Sequence, residues 1–319
     1  MKNYDVVGLG ELLIDFTQNG MSSQGNPVLE ANPGGAPCNV LSILSKLGHS
    51  TAFIGKVGQD GFGDQLEDAI NEVGIDSAGL KRDASVHTTL AVVIKTADGD
   101  RDFSFYRNPG ADMMLREDEV DEDLIRNTKI FHLGSLSMTD EPVRSATKKA
   151  LELAEESGCL ISFDPNLREP LWNSLDEARE QIMYIMPYAD ILKISDNEIQ
   201  WLSGKEDYDE GIAWLKSQFD IPLILLSMGG DGSRAYHGNL RAAAPSAKII
   251  DVIETTGAGD TFFGSILHKV LELGWRTYTE EELTDMLKFA NSAAGLITTR
   301  KGALRVMPTP DEINAIYLS

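Results

Sequence analysis

Short apolar segments of strand length alternate with amphipathic segments of helix length along most of this 319-residue chain. The helical segments carry apolar residues every three or four positions, and several end just before a glycine, as 36–47 does before Gly48. Strands that alternate with helices in this way pair in parallel, because each helix carries the chain back across the sheet. The pattern therefore predicts an α/β fold with a mostly parallel central sheet flanked by helices.

The order of the segments gives a first outline of the fold. Predicted strands cover residues 6–9, 51–57, 130–133, 160–164, 191–194 and 223–227. Predicted helices cover residues 36–47, 62–73, 142–157, 175–186, 211–218, 261–273 and 281–299. Thr139 or Asp140 is the predicted N-cap of the third helix. The length allows either one large domain with an accessory element or two domains.

Two stretches do not fit the alternation. Residues 12–33 are strand-like at first and then loop-like. Residues 88–110 contain two strand-like runs around Asp98-Gly99, a dipeptide typical of hairpin turns. We therefore expect these two stretches to form a small β element that projects from the α/β body.

The charge balance excludes several classes of partner. Acidic residues outnumber basic residues by 50 to 28, which gives a formal net charge of −22. Such a surface repels nucleic-acid phosphates and anionic lipid, so we expect neither nucleic-acid binding nor membrane docking. No apolar run reaches the length of a membrane span or of a signal-peptide core, which indicates a cytoplasmic protein.

Cysteine and histidine are too sparse for a disulfide framework or a zinc centre. Cys38 and Cys159 lie far apart in the chain, and we expect both to be reduced and buried. The five histidines never approach a ligand spacing such as His-Glu-x-x-His. The sequence therefore argues against a zinc enzyme.

The sharpest chemical signal is the run Glu-Thr-Thr-Gly-Ala-Gly-Asp-Thr-Phe at 254–262, which leads into a predicted helix. At a helix N-terminus several backbone N–H groups lack partners and the helix dipole is positive. The small residues Gly257, Ala258 and Gly259 let a phosphate approach these groups, which predicts an anion hole. Asp260 at its mouth is suited to take a proton from a sugar hydroxyl. Read alone, Gly-x-Gly-Asp is a weak signal, and a tight turn with a helix cap is then the better interpretation; the full run is far more specific.

A second block, Gly34-Gly35-Ala36-Pro37-Cys38-Asn39, opens the helix predicted at 36–47. A Gly-Gly pair ahead of a helix permits a hinge or a close approach of ligand to backbone. Asn39, on the first helical turn, is suited to bind sugar hydroxyls. The alternative interpretation is an ordinary loop followed by a solvated asparagine.

In their order and separation, the two blocks resemble those of the ribokinase-like (PfkB) sugar kinases, and the resemblance extends over essentially the whole chain. Within that family the chain is most similar to the fructokinases, through the strings at 10–16 (Gly-Glu-Leu-Leu-Ile-Asp-Phe), 105–112 (Phe-Tyr-Arg-Asn-Pro-Gly-Ala-Asp) and 164–172 (Asp-Pro-Asn-Leu-Arg-Glu-Pro-Leu-Trp). The similar 2-keto-3-deoxygluconate kinases usually carry Ser-Ala after the Tyr-x-Arg stretch. The resemblance implies one ribokinase-like domain, 1–319, with residues 12–33 and 88–110 as a β lid over the sugar.

The resemblance also implies roles for individual residues. Asp260 matches the family's catalytic base, and Arg168 is expected to face the transferring phosphate. The residues that match the anion hole are Gly257, Ala258 and Gly259. The expected sugar-binding residues are Asp15, Gly34, Gly35, Asn39 and Arg107, the last as a closing contact from the lid.

The nucleotide and cation sites follow from the same resemblance. The expected nucleotide-binding residues are Ser195, Ser227, Gly229, Gly232 and Asn291. Glu198 matches the family's magnesium-linked glutamate, which acts through water, with Ser195 in place of the motif's asparagine. Glu254 stands where the family commonly has aspartate, beside the monovalent-cation site of many members, so an altered potassium response is expected.

Together these matches imply phosphorylation of the 6-hydroxyl of D-fructose by ATP-Mg, with potassium as a further cofactor and a homodimer formed through the lid. The alternatives are another sugar kinase of the family, such as a 2-keto-3-deoxygluconate kinase, and a non-enzymatic sensor of sugar or nucleotide. The intact Gly-Ala-Gly-Asp argues against a sensor, which needs no base.

Two other enzyme classes are excluded on motif grounds. Gly8-Leu9-Gly10 follows a predicted strand, as in dinucleotide-binding proteins, but the third small position is Leu13 and no helix opens there. No Walker A sequence is present, so the chain is not a P-loop kinase.

Overall fold

The computed structural model describes residues 2–95, 101–249 and 251–318 of the chain. Within these ranges the strands form two sheets, one with nine strands and one with four. Every helix in the same ranges is too short or too polar to span a bilayer.

The strands are numbered in chain order. They are β1 (Tyr4–Leu9), β2 (Leu13–Met21), β3 (Pro27–Gly34), β4 (Thr51–Gly58), β5 (Ile75–Asp83), β6 (Leu90–Lys95), β7 (Arg101–Tyr106), β8 (Thr128–Gly134), β9 (Leu160–Asp164), β10 (Ile191–Ser195), β11 (Leu223–Ser227), β12 (Ser233–His237) and β13 (Leu240–Ala244). The large sheet has the order β13-β12-β11-β10-β9-β8-β1-β4-β5. It is parallel except at one edge, where β12 and β13 run antiparallel to their neighbours.

Helices cover both faces of the large sheet. They are α1 (Ala36–Lys46), α2 (Gly61–Glu72), α3 (Glu122–Arg126), α4 (Val143–Glu156), α5 (Leu175–Ile185), α6 (Asp196–Ser203), α7 (Tyr208–Gln218), α8 (Ala258–Leu273), α9 (Glu280–Ile297) and α10 (Pro310–Tyr317). The apolar sides of α1, α2, α8 and α9 share one buried cluster with the sheet. Those of α4 to α7 share the cluster on the opposite face. The predicted α/β fold, with a mostly parallel sheet between layers of helices, is therefore confirmed.

The two stretches that break the alternation form the four-stranded sheet, in the order β3-β2-β6-β7. Its central pair, β2 and β6, is parallel and its outer pairs are antiparallel. On one face Phe16 packs edge-on against Phe62 of α2, with ring centroids 5.6 Å apart. Asp15 and Asn32 are paired residues on the other face. The hairpin predicted at Asp98-Gly99 lies outside the described residues.

Each strand and helix predicted from the sequence is present, with ends shifted by a few residues. Strands β5, β12 and β13 and helices α3, α6 and α10 were not predicted, and the part of 12–33 that was expected to be loop-like contains strand β3. The predicted cap of α4 is wrong: its N-cap is Pro142, with no side-chain cap. The Thr139 hydroxyl instead donates to the backbone oxygen of Leu136, and Glu141 accepts from the Ser145 N–H in the first turn of α4. Cys38 and Cys159 are free and buried, as predicted.

Candidate active site

A cavity of about 510 Å³ lies where the small sheet meets the carboxyl ends of the parallel strands. This is the edge at which open α/β sheets bind their ligands, because the loops that follow the strands converge there. The small sheet contributes Asp15 and Asn32, and α1 contributes Asn39. The loop after β9 contributes Arg168, and the first turn of α8 contributes Asp260.

Asp260 is the third residue of α8, which begins at Ala258, three residues earlier than predicted. Its side chain is buried against the cavity, and Oδ2 accepts a hydrogen bond of 2.8 Å from Asn39 Nδ2. Burial raises the pKa of Asp260, and the bond from Asn39 and the nearby Lys193 and Arg168 oppose that rise. Asn39 fixes one oxygen, so the other is available as a proton acceptor.

Asn39 has an unused acceptor at the same place. Its Oδ1 is buried and has no hydrogen-bond partner among the described residues. A buried amide oxygen without a partner is unfavourable by about 1–3 kcal/mol. A ligand hydroxyl in the cavity would supply the missing donor.

The turn before α8 brings backbone N–H groups to the cavity. Gly257 is the N-cap and has a left-handed backbone (φ 77°), and a Cβ there would lie 2.6 Å from the Cβ of Ala303. Only glycine fits both conditions. In the described part of the chain, the N–H groups of Gly257 and Gly259 have no protein acceptor, whereas that of Ala258 donates to Thr255. The turn therefore has the two free donors and the positive helix end that an anion requires.

The Gly34-Gly35 pair lets α1 begin directly against β2. Gly35 is the N-cap of α1 with φ 130°, and a Cβ there would lie 2.3 Å from the backbone oxygen of Glu11. A Cβ at Gly34 would lie 2.3 Å from Oδ2 of Asp15. Gly35 lines the cavity, whereas Gly34 is not part of the cavity wall. The close approach lets Oε1 of Glu11 accept a bond of 2.8 Å from the N–H of Ala36, which replaces a side-chain cap.

Acidic side chains dominate the electrostatics of the cavity. Burial raises the pKa of Asp15 to about 7, and Arg168 opposes this while Glu254 and Asp260 add to it. Glu254 is held by the turn itself, since Oε1 accepts from the Thr256 hydroxyl at 2.7 Å and Oε2 from the Gly302 N–H at 3.1 Å. The positively charged side chains of this cavity therefore determine whether it can accept a negatively charged ligand.

The structure does not bring Arg107 to the cavity. Its side chain is 2% exposed, and all three guanidinium nitrogens bond within the protein. Nε donates to Asp112 Oδ2 at 2.7 Å, Nη1 to the Thr139 hydroxyl at 2.9 Å and Nη2 to the Leu136 oxygen at 3.2 Å. Arg107 thus anchors the end of the small sheet to the loop after β8. Asp112 belongs to the same sequence string as Arg107, but nothing in that string indicated the bonds to Thr139 and Leu136.

The expected nucleotide-binding residues lie together further along the same sheet edge, outside the cavity wall. Ser195 and Ser227 are paired residues at the carboxyl ends of β10 and β11. Gly229 and Gly232 belong to the turn that follows β11. Asn291 of α9 is buried next to β12, the strand that follows this turn. Its Oδ1 accepts a hydrogen bond from the Ser233 hydroxyl, and its Nδ2 donates to the backbone oxygen of Pro245.

Glu198 lies at the start of α6, next to these residues. Oε1 accepts from the Leu167 N–H, and Oε2 accepts from the N–H and the hydroxyl of Ser195, each at 2.8 Å. Burial would raise its pKa, but Lys193 and these donors keep the pKa below its usual value. Glu198 is thus an ionised carboxylate. No cluster of three or more acidic, histidine or cysteine side chains in the described ranges forms a complete metal site. Because both oxygens of Glu198 already accept bonds from the protein, this carboxylate fits a Mg²⁺ ion that it contacts through water, with substrate phosphates as further ligands.

Sequence reasoning missed the pair Lys193 and Asp164. Lys193 Nζ lies 3.0 Å from both carboxylate oxygens of Asp164. The available signal was a single lysine within the apolar strand Ile191–Ser195. Burial raises the pKa of Asp164 to about 7, and the Lys193 ammonium opposes that rise.

A large parallel sheet, a small sheet over its carboxyl edge, and an aspartate beside a glycine turn define a ribokinase-like kinase of small hydroxyl compounds. The model of the pfkB family of carbohydrate kinases matches residues 3–310, and the chain belongs to that family. The predicted family and the predicted sugar-kinase class are confirmed.

Named relatives and solved structures agree with this classification. A probable fructokinase-2 of Arabidopsis thaliana is 44% identical over 310 residues, which are 96% of this chain and 94% of that protein. A crystal structure of fructokinase with bound ATP from Xylella fastidiosa has a TM-score of 0.90 at 28% identity, covering 100% of this chain and 99% of the other. Fructokinase from Vibrio cholerae O395, in a form with fructose, ADP and calcium ion bound, has a TM-score of 0.88 at 30% identity, covering 98% and 99%.

Proposed function

We propose that this protein is a fructokinase, which transfers the γ-phosphoryl group of ATP to the 6-hydroxyl of D-fructose and releases ADP. Relatives that carry this name, and structures of such enzymes with ATP or with fructose and ADP, support the substrate pair. The observation that carries the proposal is the Asp260 carboxylate, held by Asn39 next to the free N–H groups of Gly257 and Gly259. A proton acceptor and an anion hole at one point are what phosphorylation of an alcohol needs.

In the proposed reaction, Asp260 takes the proton of the 6-hydroxyl as the sugar oxygen bonds to the γ-phosphorus. The bond from that phosphorus to the bridging oxygen of ATP breaks, and ADP leaves with the electron pair. The N–H groups of the glycine turn stabilise the negative charge of the transferring group. Arg168, on the wall of the cavity, adds a positive charge that also acts on Asp15.

Sugar recognition is assigned to Asp15, Gly34, Gly35 and Asn39. The unpaired Oδ1 of Asn39 supports this assignment, because a sugar hydroxyl would satisfy it. Asp15 accepts further hydroxyl bonds when ionised. Arg107 acts indirectly, because it anchors the small sheet that carries Asp15.

The nucleotide is assigned to the edge formed by Ser195, Ser227, Gly229, Gly232 and Asn291. Glu198 is the residue that would hold Mg²⁺, through water. The ion would neutralise charge on the phosphates when bound. Glu198 is buried and ionised beside the loop after β9, which supports this role.

We assign Glu254 to the edge of a potassium site, and we expect the activity of the enzyme to respond only weakly to potassium. Both of its oxygens already accept bonds from Thr256 and Gly302, which leaves it less able to shape a cation site. We expect potassium chloride to raise kcat little in the wild type and more in Glu254→Asp. Strong stimulation of the wild type that Glu254→Asp leaves unchanged would contradict this assignment.

We assign residues 12–33 and 88–110, which contain the small sheet, as a lid within a single domain. The same sheet is assigned as the contact between the two subunits of a homodimer. Four large apolar side chains exposed on this sheet support the contact: Met21, Val28, Leu29 and Tyr106. Exposed apolar side chains concentrated on a small sheet with free edges are typical of subunit contacts.

Two free cysteines support a reducing, cytoplasmic location.

The test is a panel of sugars in an assay of ADP release. The purified protein receives ATP-Mg with D-fructose, D-ribose, adenosine or 2-keto-3-deoxygluconate, and kcat/KM is compared. We expect the highest value with fructose and a product phosphorylated at the 6-position. A higher value with any of the others would overturn the substrate assignment, and no sugar-dependent ADP release would favour the sensor.

A further inference from the structure

Strand β10 carries one charged side chain in an otherwise apolar run. Ile191, Leu192 and Ile194 are fully buried aliphatic residues, and Lys193 between them has a side chain only 7% exposed. Lysine is almost never buried in this way unless it is paired. Lys193 nevertheless reaches the wall of the cavity. Its position therefore calls for a reason other than packing.

Asp164 holds the ammonium group in a fixed position. It ends the neighbouring strand β9, is itself buried, and places both carboxylate oxygens 3.0 Å from Lys193 Nζ. Burial would lower the pKa of Lys193, but Asp164, Glu198 and Asp260 outweigh burial and raise it. Lys193 is therefore a permanent positive charge with a set orientation.

One donor of this ammonium points away from Asp164. An ammonium carries three N–H donors, and within the described chain Asp164 is the sole acceptor bonded to Nζ. Nζ would lie 3.4 Å from a Cβ built at Gly259, in the turn with the free N–H groups. The remaining donor is thus beside the anion hole, where the phosphoryl group has to pass.

The charge of the cavity makes this donor important. Its wall holds four carboxylates, from Glu11, Asp15, Glu254 and Asp260, and only two cations, from Arg168 and Lys193. Unscreened carboxylates repel phosphate, and backbone N–H groups supply only partial charges. A buried ammonium in a water-poor site stabilises developing negative charge without reorganisation.

We propose that Lys193 contacts the phosphoryl group during its transfer, as a catalytic residue, and that Asp164 is the positioning residue that holds it. This inference rests on the proposed kinase function and adds a side-chain charge to the backbone anion hole. The balance of the reaction is unchanged, because Lys193 keeps its proton throughout.

The test uses the double variant Lys193→Met/Asp164→Asn. Lys193→Met alone would leave a buried unpaired carboxylate and could fail to fold. The double variant removes both charges with little change in volume. We expect kcat at saturating fructose and ATP to fall by about 10²- to 10³-fold, as for the loss of one preorganised donor. The Kd for ADP, which lacks the transferred group, and the Tm should stay near those of the wild type.

Lys56 provides a matched control. It is a second buried lysine, on β4, with Nζ 2.9 and 3.0 Å from the two carboxylate oxygens of Glu119, and it does not line the cavity. Lys56 Nζ also lies 3.1 Å from Asp83 Oδ2, so Lys56→Met/Glu119→Gln leaves Asp83 without this cation. The control should therefore lower the Tm, and it should leave kcat unchanged. This control separates the loss of a buried ion pair from the loss of a catalytic charge.

A double variant of Lys193 and Asp164 with the wild-type kcat would overturn the inference. A loss of kcat with an equal loss of ADP affinity would also overturn it, because the pair would then be structural. The wild type is measured in the same assay. If it releases no ADP with any sugar, the proposed function fails, and this inference fails with it. If it is active and the double variant matches it, only the inference fails.

Discussion

At the residue scale, the proposed chemistry depends on which carboxylates of the cavity are ionised. Asp15 is half-buried and Asp260 is buried, and both have raised pKa values, that of Asp15 being about 7. A raised pKa means that the carboxyl is neutral below that pH in the free enzyme. Both proposed roles require the ionised form, as hydroxyl acceptor for Asp15 and as base for Asp260.

We therefore expect kcat/KM for fructose to fall as the pH is lowered through about 7 and to be highest above it. Asp15→Asn should remove the contribution of Asp15 to this acidic limb. It should also reduce kcat/KM at pH 8 by about 10- to 100-fold, the effect of losing a charged hydrogen bond. The measurement is a pH profile of kcat/KM for both proteins between about pH 5.5 and 9, with the Tm of each measured at both ends. A flat wild-type profile between pH 8 and 6 would contradict the assignment.

Some residues of the site could be predicted from the sequence and others could not. Gly257, Gly259 and Asp260 were predictable because a phosphate cradle at a helix start needs small residues contiguous in the chain. Asn39 was predictable as a site residue, but its bond to Asp260 spans 221 positions. Lys193 and Asp164 lie on adjacent strands 29 positions apart, and only the sheet brings them together. Arg107 was misplaced because two of its three partners, Thr139 and Leu136, lie 32 and 29 positions further along the chain.

At the element scale, helix α8 determines the geometry of the site. Its first turn supplies the free N–H groups, and Gly259 is the position where an added methyl would enter the cavity beside Lys193. Gly259 has no left-handed backbone, so alanine is compatible with its conformation. An alanine at position 259 should thus preserve or raise the stability of the protein while it lowers the activity.

We expect Gly259→Ala to leave the Tm unchanged or slightly raised, because alanine is favoured over glycine in helices by about 1 kcal/mol. Its kcat/KM for ATP should fall by about 10²-fold, as a displaced phosphate loses its alignment. Gly61→Ala is the control, because it also lies in the first turn of a helix and faces open space. Equal activity of the two variants would show that no phosphate approaches Gly259.

The elements that sequence reasoning missed share a physical cause. Strands β5 and β13 are the two edge strands of the large sheet, and β13 is rich in alanine, which has little preference for strands. Helix α6 has eight residues and holds its first turn through Ser195 and Glu198 rather than through a long apolar stripe. Long elements with a clear period were predictable, whereas short or edge elements depend on neighbours that the chain supplies later.

At the scale of the whole molecule, the alternation of strands and helices was sufficient to predict the α/β fold. The strand order was not predictable, because it depends on how helices pack across the sheet. The small sheet was predictable as a separate unit because residues 12–33 and 88–110 lacked the helical period. Its pairing of β2 with β6 joins segments that are about 75 positions apart in the chain, which no local pattern encodes.

The exposed apolar side chains of the small sheet predict the oligomeric state. We expect light scattering at micromolar concentration to give about twice the chain mass of 34.9 kDa. Tyr106 is 64% exposed on this sheet, and Tyr106→Glu should shift the mass toward that of one chain. A wild-type mass of a single chain would contradict the dimer and leave the proposed chemistry intact.

The central claim is that Asp260 removes the proton of the fructose 6-hydroxyl as phosphate is transferred from ATP. The most direct measurement is kcat of Asp260→Asn at saturating fructose and ATP, together with its Tm and its ATP affinity. The amide is nearly isosteric and still accepts a bond from Asn39, but it cannot take a proton. We predict a loss of about 10²- to 10⁴-fold in kcat, with the Tm retained and ATP bound at least as tightly. A folded Asp260→Asn protein with near-normal kcat would contradict the account.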